Sequence, residues 1–520
     1  MPDIWPVKSP SVRQIHIAVV VACVYLFLFG LAEALFQIRP FWNDEWRLIY
    51  NIKFKSFAGL WGRLDLLQEC PRTYLTIIKA ISNAFDYSYT SLRLPPLMLM
   101  VANLFFVFHL RRLLYPKATA LSYLFILILV SSQTFTDYMV QVKQYEMDIL
   151  LTLLSLWQLF VLLRISRGEA VKGRYAVLCL TALLVPYLSY IYPIVMAPVF
   201  PVVALALWAR RKEGDTRNRL FRAAAPLALA TVSILVLYWI DIRHVLGNKD
   251  MYDSFQRAYY HSHKESFVES VWKLFALVGS GELFEVVFGI LGLAAFGYAL
   301  FRLLKARLRH YTVLQYFHLY AVLLLLVVMF LFLTGKLATG AARLTAYTVP
   351  SIALLIIALL QDLQKKVGRF TWGGVLSTVL FLALFGNILT TCINTFTYVE
   401  YPDYIRAFHK TGEALRQARR EGIPIMVSDG INGRFYNDHP PAPGTIATNT
   451  IDEAQRRGSE NLAAEVLLKI HPEYKLWDPV PYFYMPDNVW IPAYVRQVPP
   501  PYKAVIAGDG QIFRKYILRK

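Results

Sequence analysis

The stretch IHIAVVVACVYLFLFGLAEALFQIRPFWNDEW, residues 15–46, decides the fold of this chain. Residues 15–37 form an apolar run long enough to cross the hydrocarbon core of a bilayer, which takes about 20 residues. The polar residues before it contain no small-residue cleavage site, so we interpret the run as a retained first membrane span. Asp44 and Glu45 then follow between two tryptophans. They are either solvated charges in an interfacial aromatic belt, which the residues alone favour, or a carboxylate that serves as a general base.

Further apolar runs of the same size follow along the whole chain. Of its 520 residues 56% are hydrophobic and 17% charged, whereas soluble domains carry about 25% charged residues. The composition therefore predicts an α-helical polytopic membrane protein and not a soluble chain of several domains. We expect about eleven transmembrane helices, near residues 15–37, 94–110, 118–134, 147–163, 175–190, 192–209, 223–240, 283–301, 313–334, 345–361 and 372–393.

The distribution of charge predicts the topology. The formal net charge is +19, but the basic residues cluster in short segments between apolar runs, which is a topology signal and not a nucleic-acid-binding face. The positive-inside rule places these segments in the cytoplasm, with the N-terminus cytoplasmic and the C-terminus outside. The basic segments are 111–117, 164–174, 210–222, 301–310 and 364–369. The four cysteines have no metal-type spacing and predict no disulfide framework.

Residues 72–88 test this topology, because a further span there would invert every later loop. The apolar residues fall on one helical stripe, which favours an amphipathic interfacial helix over a span. The stripe contains Tyr74, Ile77, Ile78, Ile81 and Phe85, and the opposite face contains Thr76, Lys79, Asn83 and Asp86. The first outer loop then covers about 38–93. A second outer loop, about 241–282, carries the amphipathic segment HKESFVESVWKLF.

From about residue 394 the composition changes to that of a small α/β domain. We predict helices over 404–422 and 451–470, and strands over 423–429, 502–508 and 511–520. The predicted domains are thus a transmembrane unit, 1–393, and an extracytoplasmic domain, 394–520.

Polar residues gather on the predicted outer side of the membrane. In DYMVQVKQYEMDILL, 137–151, a helix N-terminus accounts for Glu146 and Asp148 through the helix dipole, but it does not account for Lys143, Gln144 and Tyr145. Two other outer segments are ECPRTYL, 69–75, and GKLATGAARLTAYTVP, 335–350. They supply Glu69, Arg72, Lys336 and Arg343. Each cation alone is explained by lipid phosphates, but together with the acids they suggest a site for an anionic lipid-borne substrate. The HSH at 261–263 is a weak metal signal, and Glu33 is expected to pair with another helix or lie near the outer interface.

These motifs resemble, in order and sidedness, the GT-C superfamily of membrane glycosyltransferases, in the bacterial branch of protein O-mannosyltransferases and aminoarabinose transferases. WNDEW stands where that family has an acidic pair after the first span, and ECPRTYL loosely matches its Pro-containing motif. LRLPPLMLM (92–100) fits its Arg-Leu-Pro lead into a span, a cytoplasmic RRL follows at 111–113, and KQYEMD (143–148) resembles its outer KQYSLD motif. The resemblance covers about residues 15–400.

The resemblance implies transfer of a sugar from a polyprenyl-phosphate donor to an acceptor hydroxyl of a lipid, glycan or protein outside the plasma (inner) membrane. It implies Asp44 as the general base of an inverting displacement, with Glu45 and Asp148 orienting sugar or acceptor. Cations must stabilise the leaving phosphate, and the implied substrate-binding residues are Arg72, Lys143, Gln144, Tyr145, Asp148 and Arg343, with Glu69, Glu146 and Lys336 as further candidates. The chain departs from the aminoarabinose branch in having Cys70 where that branch has Lys. The need for a divalent metal stays open.

Two other functions compete with this one. A transporter or flippase of a lipid-linked substrate would show internal repeats and paired Gly/Pro-broken spans, and the sequence shows neither. A non-catalytic envelope-assembly protein would lack the acidic pair or the KQYEMD group, and both are present.

Overall fold

The computed structural model describes most of the first 389 residues and five strands of the C-terminal part. The described residues are 12–36, 41, 43–65, 68–117, 119–212, 215–246, 267–279, 282–306, 311–334, 336–337, 344–366, 379–389, 425–427, 446–447, 465–469, 503–509 and 513–519.

Every predicted span coincides with a helix. Eight helical segments in the described part are long and apolar enough to cross a membrane, so the chain is a multi-pass membrane protein. They are α1 Val12–Phe36, α4 Tyr89–Leu114, α7 Tyr145–Ser166, the joined α9 Tyr192–Met196 and α10 Val199–Ala209, α11 Thr216–Leu237, α14 Glu282–Lys305, α15 Val313–Leu333 and α16 Val349–Lys366. Three shorter apolar helices, α5 Ala120–Ser131, α8 Arg174–Leu184 and α17 Val379–Leu389, occupy the remaining predicted spans. The total of eleven stays a prediction.

Short elements connect these helices. They include α2 Asn43–Phe54, α3 Arg72–Asn83, α6 Gln133–Tyr138, α12 Arg243–Leu246 and α13 Phe267–Ala276. Single turns of 3-10 helix lie at Gly59–Trp61, Val185–Leu188 and Ala346–Thr348, and a π-helical turn at Tyr238–Ile242 prolongs α11.

Helix α7 is the centre of the bundle. It packs against α4, α9, α10, α11, α15 and α16, and most of its side chains are buried. A helix that is apolar on every side is expected at such a position. Because α7 is surrounded, the polar residues at its beginning are enclosed by other helices and do not face lipid.

Helix α3 is the predicted short helix of the first outer loop. At 12 residues it is about 18 Å long, too short to cross a bilayer. One predicted position is wrong: Lys79, assigned to the polar face, is buried. Lys79 Nζ donates to the Ile52 carbonyl (2.6 Å) and to the Tyr87 hydroxyl (2.8 Å). A long lysine stem can bury its carbons when its ammonium finds such partners, which periodicity alone does not reveal.

Helix α13 is the predicted amphipathic helix of the second outer loop, and small residues of α14 let it pack closely. A Cβ at Gly289 would lie 2.8 Å from the Trp272 ring, and one at Gly292 would lie 3.0 Å from the Phe275 ring.

Five strands form one mixed sheet in the C-terminal part, in the order β2–β1–β3–β5–β4. The strands are β1 Ile425–Val427, β2 Ile446–Ala447, β3 Glu465–Lys469, β4 Lys503–Asp509 and β5 Phe513–Arg519. β1 pairs in parallel with β2 and β3, and β5 pairs antiparallel with β3 and β4. The strands predicted at 423–429, 502–508 and 511–520 are thus present, but the helix predicted over 451–470 is wrong at its end. Glu465–Lys469 is a strand there because both its edges are paired. The helix predicted over 404–422 lies outside the described residues.

A buried ion pair joins the first span to the second. Arg93 Nη1 lies 3.7 Å from Glu33 Oε1 and donates to the Val140 carbonyl at 3.2 Å. Its guanidinium also lies 4.7 Å from the Phe41 ring centroid and 4.8 Å from that of Tyr89. Arg93 therefore contacts α1, Phe41 just before α2, and the segment before α7 from its own helix, α4. Glu33 thus has the helix partner that the sequence analysis expected.

We expect Arg93→Met to lower the stability of the solubilised protein by about 3–5 kcal/mol, because the substitution leaves the Glu33 carboxylate buried without its cation. Thermal unfolding in detergent measures the change. The double variant Glu33→Leu with Arg93→Met should recover part of the loss, while Arg112→Met, an exposed arginine of the same helix, should have little effect. A double variant no more stable than Arg93→Met alone would contradict this account.

Candidate active site

Three hydrogen bonds join the first turn of α3 and the segment before it to the segment before α7. Lys143 Nζ donates to Gln68 Oε1 at 2.7 Å, and the Tyr74 hydroxyl donates to the Lys143 carbonyl at 2.7 Å. The Cys70 thiol donates a weaker bond to Gln144 Oε1 at 3.2 Å. The Lys143 side chain is 7% exposed, so its ammonium is held at a defined place inside the protein.

Glu45, in the acidic pair of the predicted first outer loop, contacts the same segment before α7. Helix α2 begins at Asn43, so Asp44 and Glu45 lie in its first turn, where the helix dipole favours carboxylates. Glu45 is buried, and its Oε1 accepts a hydrogen bond from the Val142 amide at 2.7 Å. The side chain of Asp44 lies outside the described residues. The contact with the Val142 amide brings Glu45 to the residue that precedes Lys143, and the predicted grouping of the acidic pair with Lys143 stays a prediction.

The first turn of α7 carries two buried carboxylates with neutral partners. Glu146 Oε2 accepts from Asn103 Nδ2 at 2.7 Å, and the Asp148 carboxylate accepts from the Ser189 hydroxyl. Both carboxylates are buried. Burying an ionisable group inside a helix bundle is costly, so such a group marks a functional site by default. The Tyr145 ring packs 4.8 Å, centroid to centroid, from that of Tyr138.

Arg72, at the beginning of α3, is engaged by protein groups. Nη1 donates to the Cys70 carbonyl (2.8 Å), Nη2 pairs with Glu69 (2.8 Å), and Nε lies 3.6 Å from Asp241 Oδ1. Burial lowers the pKa of Arg72, but nearby Tyr190, Glu69 and Asp241 raise it above its ordinary value overall. The Arg72 guanidinium therefore lies between two carboxylates, those of Glu69 and Asp241.

The comparisons with known proteins bear on the fold. No family model matches the sequence, and no curated protein does. Among solved structures, ArnT from Cupriavidus metallidurans bound to undecaprenyl phosphate matches with a TM-score of 0.59 at 10% identity, over 96% of this chain and 97% of that one. The same protein in the apo state matches with a TM-score of 0.54 at 11% identity and the same coverage. The oligosaccharyltransferase of Archaeoglobus fulgidus, in complex with Zn and sulfate, has a TM-score of 0.45 at 12% identity, over 86% of this chain and 68% of that one.

This chain has the fold of the ArnT structures, which is the GT-C fold. The resemblance predicted from the ordered motifs is therefore confirmed at the level of architecture. At identities of 10 and 11% the similarity shows a shared fold but not a shared function. The chemistry of the site therefore has to be argued from its residues.

The GT-C fold brings residues to this site that the sequence analysis missed. Asp241, in the π-helical turn after α11, contacts both Arg72 and Tyr190, and Gln68 holds Lys143. An acid ending an apolar span, as in YWIDI, is a detectable signal for Asp241. Gln68 and Tyr190 have no sequence signal, since a glutamine in a loop and a tyrosine near a membrane interface are ordinary.

Other predicted residues are not placed at the site. Lys336 is exposed just after α15, where its amide donates to the Leu331 carbonyl. Arg343 and the histidines at 261–263 lie outside the described residues. Within the part of the chain that the structure describes, no group of three or more His, Cys, Asp or Glu side chains is arranged to hold a metal ion.

We expect the thiol of Cys70 to resist alkylation in the folded protein. It is fully buried, and burial raises its pKa well above that of an ordinary thiol, so the reactive thiolate is scarce at pH 8 and stays scarce as the pH rises towards 9. Maleimide labelling followed by mass spectrometry of the Cys70 peptide measures this. The same chain unfolded in SDS, where the thiol ionises near its usual pKa, is the reference. Equal labelling rates in the two states would contradict the burial of this site.

Proposed function

We propose that the chain is an inverting glycosyltransferase that transfers a sugar from a polyprenyl-phosphate donor to an acceptor hydroxyl on the extracytoplasmic side of the plasma membrane. The observation that carries the proposal is the 2.7 Å contact between Glu45 and the Val142 amide. It joins Glu45, one member of the acidic pair, to the residue that precedes the buried Lys143 and the first turn of α7. A base, a cation and enclosed sugar-binding groups are the parts that glycosyl transfer from a lipid phosphate requires.

The reaction distributes roles over these residues. Asp44 accepts the proton of the acceptor hydroxyl as its oxygen attacks the anomeric carbon. The bond from that carbon to the phosphate oxygen breaks, and its electron pair leaves with the polyprenyl phosphate, which inverts the configuration. Lys143 stabilises the charge that develops on the leaving phosphate, with Arg72 and Arg343 as further cations. Asp148, Glu45, Gln144 and Tyr145 orient the sugar or the acceptor.

Two observations support a lipid-phosphate donor. The similar ArnT structure is bound to undecaprenyl phosphate, and Lys143, Glu146 and Asp148 lie at the beginning of α7, a helix long and apolar enough to cross a membrane. The positive-inside assignment puts this end of the bundle outside the cell. In this proposal residues 394–520 form an extracytoplasmic domain that covers the site and helps to select the acceptor.

We expect Asp44→Asn to reduce transfer from a polyprenyl-phosphate sugar by about 10²-fold or more, because an amide cannot take the proton of the acceptor. The assay follows radiolabelled sugar from donor to acceptor with purified protein in liposomes. Asp86→Asn is the matched control, since Asp86 is an exposed carboxylate of the same outer loop with a left-handed backbone that Asn tolerates. Near-normal transfer by Asp44→Asn would contradict the assignment of Asp44 as the general base. If the unaltered protein moves the lipid across the bilayer but transfers no sugar, the chain is a transporter and not a glycosyltransferase.

We expect Lys143→Gln to lower kcat more than it raises KM for the donor, by about 10²-fold in kcat, because the ammonium acts on charge that grows in the transition state. Steady-state transfer rates at varied donor concentration give both constants. Lys55→Gln, which removes a lysine paired with the half-exposed Asp65, is the control. A rise in KM with unchanged kcat would assign Lys143 to ground-state binding instead.

A further inference from the structure

Asp241 lies outside every motif of the proposed site, yet it contacts the segment that holds Lys143. It is 2% exposed in the π-helical turn Tyr238–Ile242, at the end of the α11 span. Turns of this kind are rare and often mark functional positions in a helix. Its Oδ2 accepts from the Arg72 backbone amide at 3.2 Å, and its Oδ1 accepts from the Tyr190 hydroxyl at 2.8 Å.

The first contact supplies a cap that α3 lacks. The residue before the helix is Pro71, which provides no side-chain cap, so the first amides of α3 need acceptors from elsewhere. Asp241, 169 positions along the chain, accepts one of them. Its negative charge also faces the positive end of the helix dipole, so a distant span caps α3.

The second contact fixes the turn that leads into α3. The Tyr190 hydroxyl bonds both Asp241 and the Cys70 carbonyl, the latter at 3.0 Å, and Arg72 Nη1 donates to the same carbonyl. Residues 68–72 are therefore held on one side by Asp241 and Tyr190. On the other side the same residues hold the KQY group, through Gln68 on Lys143 and Cys70 on Gln144.

We propose that Asp241 is a positioning residue of the transferase site, which acts on Lys143 through the turn 68–72. It caps α3 from the end of the α11 span and, with Tyr190, keeps Gln68 and Cys70 where they hold Lys143 and Gln144. The catalytic part of this inference rests on the proposed function, but the structural part can be measured without any substrate.

Alkylation of Cys70 tests the structural part. If Asp241 holds the turn, Asp241→Ala removes the side-chain acceptor of the Arg72 amide and one of the two acceptors of the Tyr190 hydroxyl, and the turn opens more often. Because labelling of a buried thiol follows the population of the open form, maleimide should label Cys70 about tenfold faster than in the unaltered protein. Asp241→Asn, which keeps an acceptor oxygen, should label less than about threefold faster. The control is Asp362→Ala, which removes a carboxylate near the C-terminal end of α16 that pairs with Arg302. It should leave Cys70 labelling unchanged.

A smaller change keeps the test decisive if Asp241→Ala does not yield folded protein. Tyr190→Phe removes only the hydroxyl shared by Asp241 and Cys70, and should speed Cys70 labelling by about threefold. Unchanged labelling of Cys70 in folded Asp241→Ala, or in Tyr190→Phe when the alanine variant does not fold, would overturn the proposal. This result does not depend on whether the chain transfers sugar.

A double-mutant cycle with Lys143 tests the catalytic part. Asp241→Ala should lower transfer by about tenfold in the unaltered chain and add less than about twofold in the Lys143→Gln background, because the two residues act through one group. Additive losses would show that Asp241 acts independently of Lys143 and would overturn the positioning role. If no variant or parent transfers sugar, the proposed function fails, while the Cys70 labelling still decides whether Asp241 holds the turn.

Discussion

The structure depends on one constraint: inside a helix bundle, each charged group must find a partner from the protein, because there is no bulk water to solvate it. In the described part of the chain, several buried charges find partners in distant segments. Glu33 meets Arg93, Glu45 meets the Val142 amide, and Lys143 meets Gln68. Each of these contacts joins two parts of the chain that the apolar helices alone would leave free to shift. Partnering of buried charge therefore organises the outer end of the bundle.

The same contacts hold the polar residues of the proposed site in place. The segment before α7 is held by α2 through Glu45, by the turn before α3 through Gln68 and Cys70, and by α4 through Arg93. A cation fixed in this way need not reorganise as charge develops on a leaving group, which is the main source of electrostatic catalysis. Buried supporting groups in turn hold the contacting groups to the accuracy that chemistry needs.

The sequence predicted the architecture well because the apolar runs are long and the signal is local. Each predicted span coincides with a helix, and α3 has the predicted length class and position. The errors have physical causes. Lys79 was assigned to the polar face, but a carbonyl and a hydroxyl from other segments satisfy its ammonium. Residues 465–469 have helix-forming neighbours, but pairing with β1 and β5 makes them a strand, since sheet contacts from afar override local preference.

For the site, the sequence by itself determined which polar residues stand at span ends and their order along the chain, and the basic loops predicted that they share one side of the membrane. Those properties depend on residues close together in sequence and on the cost of placing charge in lipid. Only the tertiary structure decided which of them meet. It placed Glu45 against the amide before Lys143, engaged Arg72 with Glu69 and Asp241, and brought in Gln68 and Tyr190. Such contacts span up to 169 positions, and helix packing fixes them through side-chain shapes that hydrophobic periodicity does not encode.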